Sequence, residues 1–248
     1  MSSPPVRLSV IIPVYNEERT VDQLVDAVRH CGIAELEVVI VNDGSDDGTQ
    51  AQLEPFADIP GIQVVHHDTN RGKGAAIQTA QPLVRGRAVV IQDGDLEYSP
   101  NEFPHMLSLI EAGHADAVFG SRYSGRELQV DTFWHYNANR LLTTVSNVLC
   151  NIHLTDMETC YKMVRADLFQ RLRLTSNHFG IEPEITARLA QLHARIWEVP
   201  IAYRARRTDQ GKKIGWRDGC AALWYIAKYN LLDRQRPQVP TRGIDPEP

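Results

Sequence analysis

Nowhere in the 248-residue sequence do apolar residues run long enough to cross a bilayer. The longest such tract, residues 220–232, is broken by Lys228 and Asn230 and falls short of the roughly 20 residues a span needs. The start, Met1-Ser-Ser-Pro-Pro5, has neither a basic segment nor an apolar stretch behind it, so no secretory leader is expected. Cysteine is sparse. Cys31, Cys150, Cys160 and Cys220 form no Cys-x-x-Cys pair, which argues against a zinc ribbon or a disulfide scaffold and suits a reducing compartment. An excess of positive charge is also lacking: 26 Lys and Arg against 31 Asp and Glu give a net charge of −5. No global field therefore recruits nucleic acid, and any site for a polyanion must be a local cluster. The nine histidines show no His-Glu-x-x-His spacing, and no Gly-x-Ser-x-Gly elbow marks a serine hydrolase. Internal repeats and Gly/Ser-rich linkers are missing as well. One domain over residues 6–232 is expected, followed by a loose proline-rich tail over 233–248.

What is present is an ordinary globular composition, 43% apolar and 23% charged, on a chain long enough for a sizeable core. The first half alternates. Apolar runs at 8–14, 36–41, 62–65, 88–92 and 117–119 read as strands. Between them, 20–29, 49–56 and 73–84 read as helices, the last bent or ended by Pro82. Ser99-Pro-Asn-Glu102 is a helix-start signature. The second half reads as helical at 132–151, 168–172, 183–193 and 216–231, with a strand at 196–203. Strands apolar throughout, alternating with amphipathic helices, predict an α/β fold: a mostly parallel sheet with helices on both faces and a helical C-terminal part. In such sheets ligands bind beyond the carboxyl ends of the strands. That edge gathers Tyr15, Asn16, Glu17, Asn42, Asp43, Asp93, Asp95, Arg122 and Tyr123.

Ile91-Gln-Asp-Gly-Asp-Leu-Glu97 is the sharpest local feature. A strand runs into two carboxylates, Asp93 and Asp95, around a flexible Gly94. Such a pair suits Mg2+ or Mn2+, with the other positions left to water and phosphate oxygens, and Glu97 is a candidate third ligand. By itself Asp-x-Asp is also a common solvated turn. Asp43, at another strand end, is placed to accept a hydrogen bond from a nucleobase, uracil or guanine alike; its turn also suits a helix cap. Asn70-Arg-Gly-Lys-Gly-Ala-Ala76 lacks the Ser or Thr of a Walker loop, so Arg71 and Lys73 are expected to meet a phosphate or carboxylate at a helix start. Arg122 follows a strand. Arg206, Lys212 and Lys213 lie in a strongly cationic stretch suited to clamping phosphates. Asp156 and Glu158 are candidates for general base or acceptor positioning, supported by Glu182 and Glu184.

Taken in order, Ser9-Val-Ile-Ile-Pro-Val-Tyr-Asn-Glu-Glu18, Val41-Asn-Asp-Gly-Ser-Asp46, Asn70-Arg-Gly-Lys-Gly74, Gln92-Asp-Gly-Asp-Leu-Glu97 and Gly120-Ser-Arg-Tyr123 resemble the family 2 glycosyltransferases of GT-A fold. Asp156-Met-Glu-Thr-Cys-Tyr-Lys162, Phe179-Gly-Ile-Glu-Pro-Glu184, Glu198-Val-Pro-Ile201 and Gly211-Lys-Lys-Ile-Gly-Trp-Arg-Asp-Gly219 are similar to the branch of dolichol-phosphate mannose synthases and bacterial polyprenyl-phosphate glycosyltransferases. The resemblance covers residues 6–232. It implies a UDP- or GDP-sugar held by Pro13, Tyr15, Glu17 and Asp43, with Lys73 nearby. It implies Mg2+ or Mn2+ on Asp93 and Asp95, with Glu97 where relatives often have Gln. Arg122, Arg206 and Lys212 would meet donor or acceptor phosphate. Inversion at the anomeric carbon follows, with Asp95, Asp156 and Arg122 as the catalytic set.

A polyprenyl phosphate acceptor is already anionic and needs no strong base; Asp156 would matter more for a hydroxyl. Many relatives carry C-terminal membrane helices, so a lipid acceptor implies peripheral docking at the cytoplasmic membrane face. Phe133, Trp134, Leu141, Leu142, Val145 and Val148, or Trp216, Leu223, Trp224, Ile226 and Tyr229, are candidate interfacial faces that read equally as core or as homo-oligomer contacts. Docking through a small membrane protein is another route. The same fold acting on a soluble or saccharide hydroxyl, and a non-catalytic nucleotide-sugar binder, are the rival readings.

Overall fold

A computed structural model describes residues 5–125, 130, 132–204 and 216–235. The stretch holding Arg206, Lys212 and Lys213, the side chain of Trp216 and the tail beyond 235 lie outside the described residues.

Seven strands form one sheet: β1 (Leu8–Val14), β2 (Leu36–Asn42), β3 (Ile62–His66), β4 (Ala88–Ile91), β5 (Ala117–Ser121), β6 (Lys162–Arg165) and β7 (Ile196–Pro200). Their order is β3-β2-β1-β4-β6-β5-β7. β6 runs antiparallel to both its neighbours, and every other pairing is parallel. Among the described residues eight α-helices connect or flank them: α1 (Val21–Arg29), α2 (Thr49–Ala57), α3 (Lys73–Ala80), α4 (Phe103–Glu111), α5 (Phe133–Cys150), α6 (Ala166–Phe169), α7 (Ile181–Gln191) and α8 (Trp216–Ala227).

β1 is the keel. All seven of its residues are buried, because β2 and β4 flank it and α3 packs against it. Each buried Leu, Ile or Val there contributes about 1.5–3 kcal/mol. Leu24, Val25 and Val28 with Val21 form the single stripe that α1 turns to the core. The chain moves outward from β1 to β2 and β3, then returns to the other side of β1 with β4. The strand order thus reverses between β1 and β4, and a ligand crevice belongs beyond their carboxyl ends.

The mostly parallel α/β architecture matches the sequence expectation, with local differences. The helix expected over 73–84 stops at Ala80 and tightens into a 3₁₀ turn, Gln81–Leu83, because Pro82 supplies no amide donor. Ser99 caps a short 3₁₀ turn, Pro100–Glu102, ahead of α4, while Glu102 reaches instead to the Ala202 amide. β7 ends at Pro200, and Tyr203 makes a separate bridge to Tyr98. The helix expected over 168–172 is the single turn Ala166–Phe169, α7 begins at Ile181, and α8 ends in a π-helical turn, Lys228–Leu232. β6 went unread because Lys-Met-Val-Arg carries no apolar run. Of the two apolar helix faces, Ile226 and Tyr229 are core and Leu142 and Val145 are half-buried, whereas Trp134, Leu141, Val148 and Trp224 are exposed.

Candidate active site

Asp93 leaves the end of β4, and Lys73 is the first residue of α3. Lys73 Nζ lies 2.5 Å from Asp93 Oδ1 and 2.8 Å from Glu182 Oε1 on α7. Glu182 Oε2 in turn takes a hydrogen bond at 2.5 Å from Lys162 Nζ on β6, and Lys162 also donates to the Thr159 carbonyl. Asp93, Lys73, Glu182 and Lys162 therefore form one line of alternating charge running from β4 to β6. Burial opposes ionisation of Lys73, but the carboxylates of Asp93 and Glu182 hold its ammonium well above the ordinary lysine range. Burial likewise opposes an ionised Asp93, and Lys73 wins, keeping that carboxyl below its usual value. Of the phosphate or carboxylate that Lys73 was expected to meet at the helix start, the fold supplies two carboxylates, and Lys73 is an internal cation shared by them.

Asp95 takes the Glu97 amide on Oδ1 at 3.1 Å, an Asx-type turn that aims the Asp93–Asp95 loop. Gly94 lets this loop close on β1: a Cβ there would sit 3.2 Å from the Pro13 carbonyl and 3.5 Å from the Glu17 side chain. Glu97 is buried and accepts a 2.7 Å hydrogen bond from the Tyr203 hydroxyl, while its carbonyl takes the Arg204 amide. That places Glu97 as a tether for the chain beyond β7. Among the described residues no group of three His, Cys, Asp or Glu is placed to hold a metal. Two hard carboxylates at a strand end fit Mg2+ or Mn2+ only if nucleotide oxygens and water complete the shell, which is how such ions are commonly held. Pro13 is buried in β1, Tyr15 stands exposed just past it, and Glu17 bonds the Thr20 hydroxyl at 2.6 Å.

Asp43, expected to read a base, is engaged by its own chain. Its carboxylate takes the amides of Arg71 at 3.0 Å and Gly72 at 2.7 Å and lies 2.6 Å from His67 Nδ1. It shapes the turn that delivers Lys73. Gly72, at φ +98°, presses against Asn177 and His178, and Gly74 against Ser176. The opposing Thr175–His178 loop is held by Glu184, which takes the Thr175 and Ser176 amides at 3.0 and 2.8 Å. The sequence offered Glu184 only as a possible support, and Thr175–His178 not at all; the Gly-x-Gly spacing is the signal that some backbone must approach closely there.

Arg122 and Asp156 form a two-pronged ion pair, Nε to Oδ2 at 2.6 Å and Nη2 to Oδ1 at 2.8 Å. The Arg122 amide and Asn139 Nδ2 add two more donors to the same carboxylate, which is 0% exposed. The Arg122 guanidinium also lies 5.6 Å from the Tyr123 ring and 5.2 Å from the Tyr203 ring. Asp156, a candidate for general base or acceptor positioning, orients Arg122. Glu158, two residues on, differs. Among the described residues its Oε1 is buried without a hydrogen-bond partner. Burial pushes its carboxyl up to about 7; Lys162 and Arg122 pull it down, and Glu182 and Asp156 push it further up.

The fold is GT-A-like, and the family model for glycosyl transferase family 2 matches residues 9–173, more than half of the chain; the chain belongs to that family and is a glycosyltransferase. Polyprenol monophosphomannose synthase of Mycolicibacterium smegmatis is 28% identical over 94% of this chain and 91% of its own length. Undecaprenyl-phosphate mannosyltransferase of Micrococcus luteus is 30% identical over 92% and 96%. Glucosyl-3-phosphoglycerate synthase of Mycobacterium tuberculosis, solved in complex with UDP, superposes with a TM-score of 0.67 at 21% identity, covering 90% of this chain and 78% of that one, a likeness of fold. The same enzyme has been solved with Mn2+ and UDP-glucose.

Proposed function

We propose that the chain transfers one sugar, with inversion, from a UDP- or GDP-sugar to a polyprenyl phosphate in the presence of Mg2+ or Mn2+. The observation that carries this reading is the Asp93-Gly94-Asp95 turn at the end of β4, in a chain matched along nearly its whole length by two polyprenyl-phosphate mannosyltransferases. Asp93 and Asp95 would hold the cation, which supplies positive charge to the diphosphate as it leaves. Arg122, fixed by Asp156 and flanked by two aromatic rings, presents a rigid cation to donor or acceptor phosphate. Lys73 balances Asp93. Tyr15, Glu17 and the Asp43-shaped turn line the donor side, and Arg206 and Lys212 are assigned to phosphate by sequence. No helix among the described residues is long and apolar enough to cross a membrane. The exposed Trp134, Leu141 and Val148 on α5, with Trp224 on α8, support docking from the surface.

The test incubates the full chain and Mn2+ with labelled UDP- or GDP-sugar and a short-chain polyprenyl phosphate. Label passing into the lipid product, and falling by about 10²-fold or more in Asp95→Ala, is the expected result. Equal turnover by that variant removes the metal site. Transfer only to a soluble hydroxyl, with no flotation on liposomes, removes the lipid acceptor.

A further inference from the structure

We propose that Glu158, and not Asp156, takes the proton of the acceptor phosphate. This deepens the transferase reading above and rests on it for the identity of the acceptor.

Among the described residues, three cations, Lys73, Lys162 and Arg122, act on four carboxylates, Asp93, Glu182, Asp156 and Glu158. Lys73 bridges Asp93 and Glu182, Lys162 holds Glu182, and Arg122 is gripped by Asp156. Each of these three cations is thus committed to another carboxylate, and of these four carboxylates Glu158 is the one without an ion pair among the described residues. Its Oε1 is buried with no hydrogen bond among them. An ionised oxygen in that state is costly, and a proton removes the cost. The neighbours that face it come from each surrounding element: Lys162 from β6, Glu182 from α7, Arg122 from the turn after β5 and Asp156 from its own loop. The two cations stop the carboxyl from being permanently protonated; the two anions and burial stop it from being permanently ionised. Asp156 has no such latitude, since four donors hold its oxygens.

A phosphomonoester near neutral pH is a mixture of mono- and dianion, its second ionisation lying at about 6. The dianion is the better nucleophile. In the step inferred here, the Glu158 carboxylate removes the proton from the P–OH of the bound monoanion. A phosphate oxygen then forms its bond to the anomeric carbon as the bond from that carbon to the nucleoside diphosphate breaks. The bonding pair leaves with the diphosphate. The proton on Glu158 passes to solvent, and the carboxylate is restored. Arg122, whose charge acts on Glu158, is assigned to hold the phosphate during this exchange.

Two readouts test it. The first is the pH profile of kcat for sugar transfer to a short-chain polyprenyl phosphate. Wild type should show an acidic limb; Glu158→Gln should lose about 10²-fold in kcat and keep only the limb of the acceptor's own ionisation near about 6, and Glu158→Asp should recover kcat and the wild-type limb. A Glu158→Gln profile that keeps the wild-type limb at near wild-type kcat overturns the proposal. The second needs no turnover. Infrared difference spectra of the wild-type full chain between about pH 5.5 and about pH 8.5 should show a buried carboxylic-acid carbonyl band titrating near neutrality, lost in Glu158→Gln. Absence of that band in wild type overturns the proposal even where the variant does not fold. If wild type transfers no sugar to the lipid but the band is present, the acceptor assignment fails and the proton-accepting role of Glu158 stands for a different acceptor.

Discussion

Along β1, β2 and β4 the side chains that fill the interior are Val, Ile and Leu, whereas around β6 and α7 the same depth is reached by Lys162, Glu182, Glu184 and Arg188. Glu37 is the buried charge on the apolar side: it takes the Ser9 hydroxyl at 2.5 Å and the Arg85 guanidinium at 2.8 Å. The charged side carries several such ions in series. Its groups reach across elements, joining β4 to α3, α3 to α7, and α7 to β6. Apolar contacts are forgiving about direction, so the first side fixes which elements pack. Buried ions are tolerated only when each meets its partner in good geometry, so the second side fixes where a few atoms stand. A site that must hold a diphosphate and an acceptor phosphate together needs the second property, and it is built where the two kinds of interior meet.

The comparison breaks most visibly by removing one buried ion. The Lys162 side chain is 0% exposed, and Lys162→Met strips Glu182 of one of its two cations. The expected cost is about 3–5 kcal/mol of stability, the range for orphaning a buried charge. On the apolar side Ile11→Val should cost about 0.5–1.5 kcal/mol. Urea midpoints of the two variants measure the contrast. A Lys162→Met midpoint no lower than that of Ile11→Val would mean that the charged interior relaxes as easily as the apolar one.

This contrast also explains what the sequence revealed. The apolar runs at 8–14, 36–41 and 88–92 announce parallel strands because both faces are covered, and the structure places strands there. The short β6 is hidden because one of its four residues, Lys162, is buried only by virtue of Glu182, twenty residues further on, and no local pattern encodes that pairing. Among the site residues, the Asp93-Gly94-Asp95 turn is legible because its chemistry is local. Asp43, Lys73 and Asp156 were recognised as important, yet the partners that occupy them, the Arg71 and Gly72 amides, Glu182 and Arg122, are long-range. Residue type points to a charged site; only the fold says which charges are already spent on one another.

A smaller effect separates Glu158 from its neighbours. Its carboxyl is raised in the folded chain from 4.5 to about 7, so the folded state holds a proton that the unfolded state gives up sooner. Below the unfolded value both states are protonated and nothing is lost. As pH rises through that interval the unfolded state gains progressively, and above about 7 the penalty is complete. Glu158→Gln removes it. The variant should match wild type near pH 4 and exceed it by about 3 kcal/mol near pH 8. Thermal or urea unfolding at the two pH values measures this, and a stability difference independent of pH would place the unpaired carboxylate outside the charged interior.

The last effect lies at the seam. Gly72 has φ +98° and ψ 157°, a region nearly closed to other residues, and a Cβ there would strike the Asn177 carbonyl and the His178 ring. Gly72→Ala should therefore cost about 1–3 kcal/mol in backbone strain, with the collision forcing a shift of the Asn177–His178 backbone besides. Its consequence for transfer should be disproportionate, because the same turn supplies the two amides on Asp43 and begins the helix that carries Lys73 to Asp93. Gly113, also at positive φ (+73°), has open space around it, so Gly113→Ala carries the backbone strain without the collision. If the two alanine variants lose stability equally and neither loses transfer activity, the close approach of the two loops has no part in aligning Lys73 with Asp93, and the seam between the interiors is only packing.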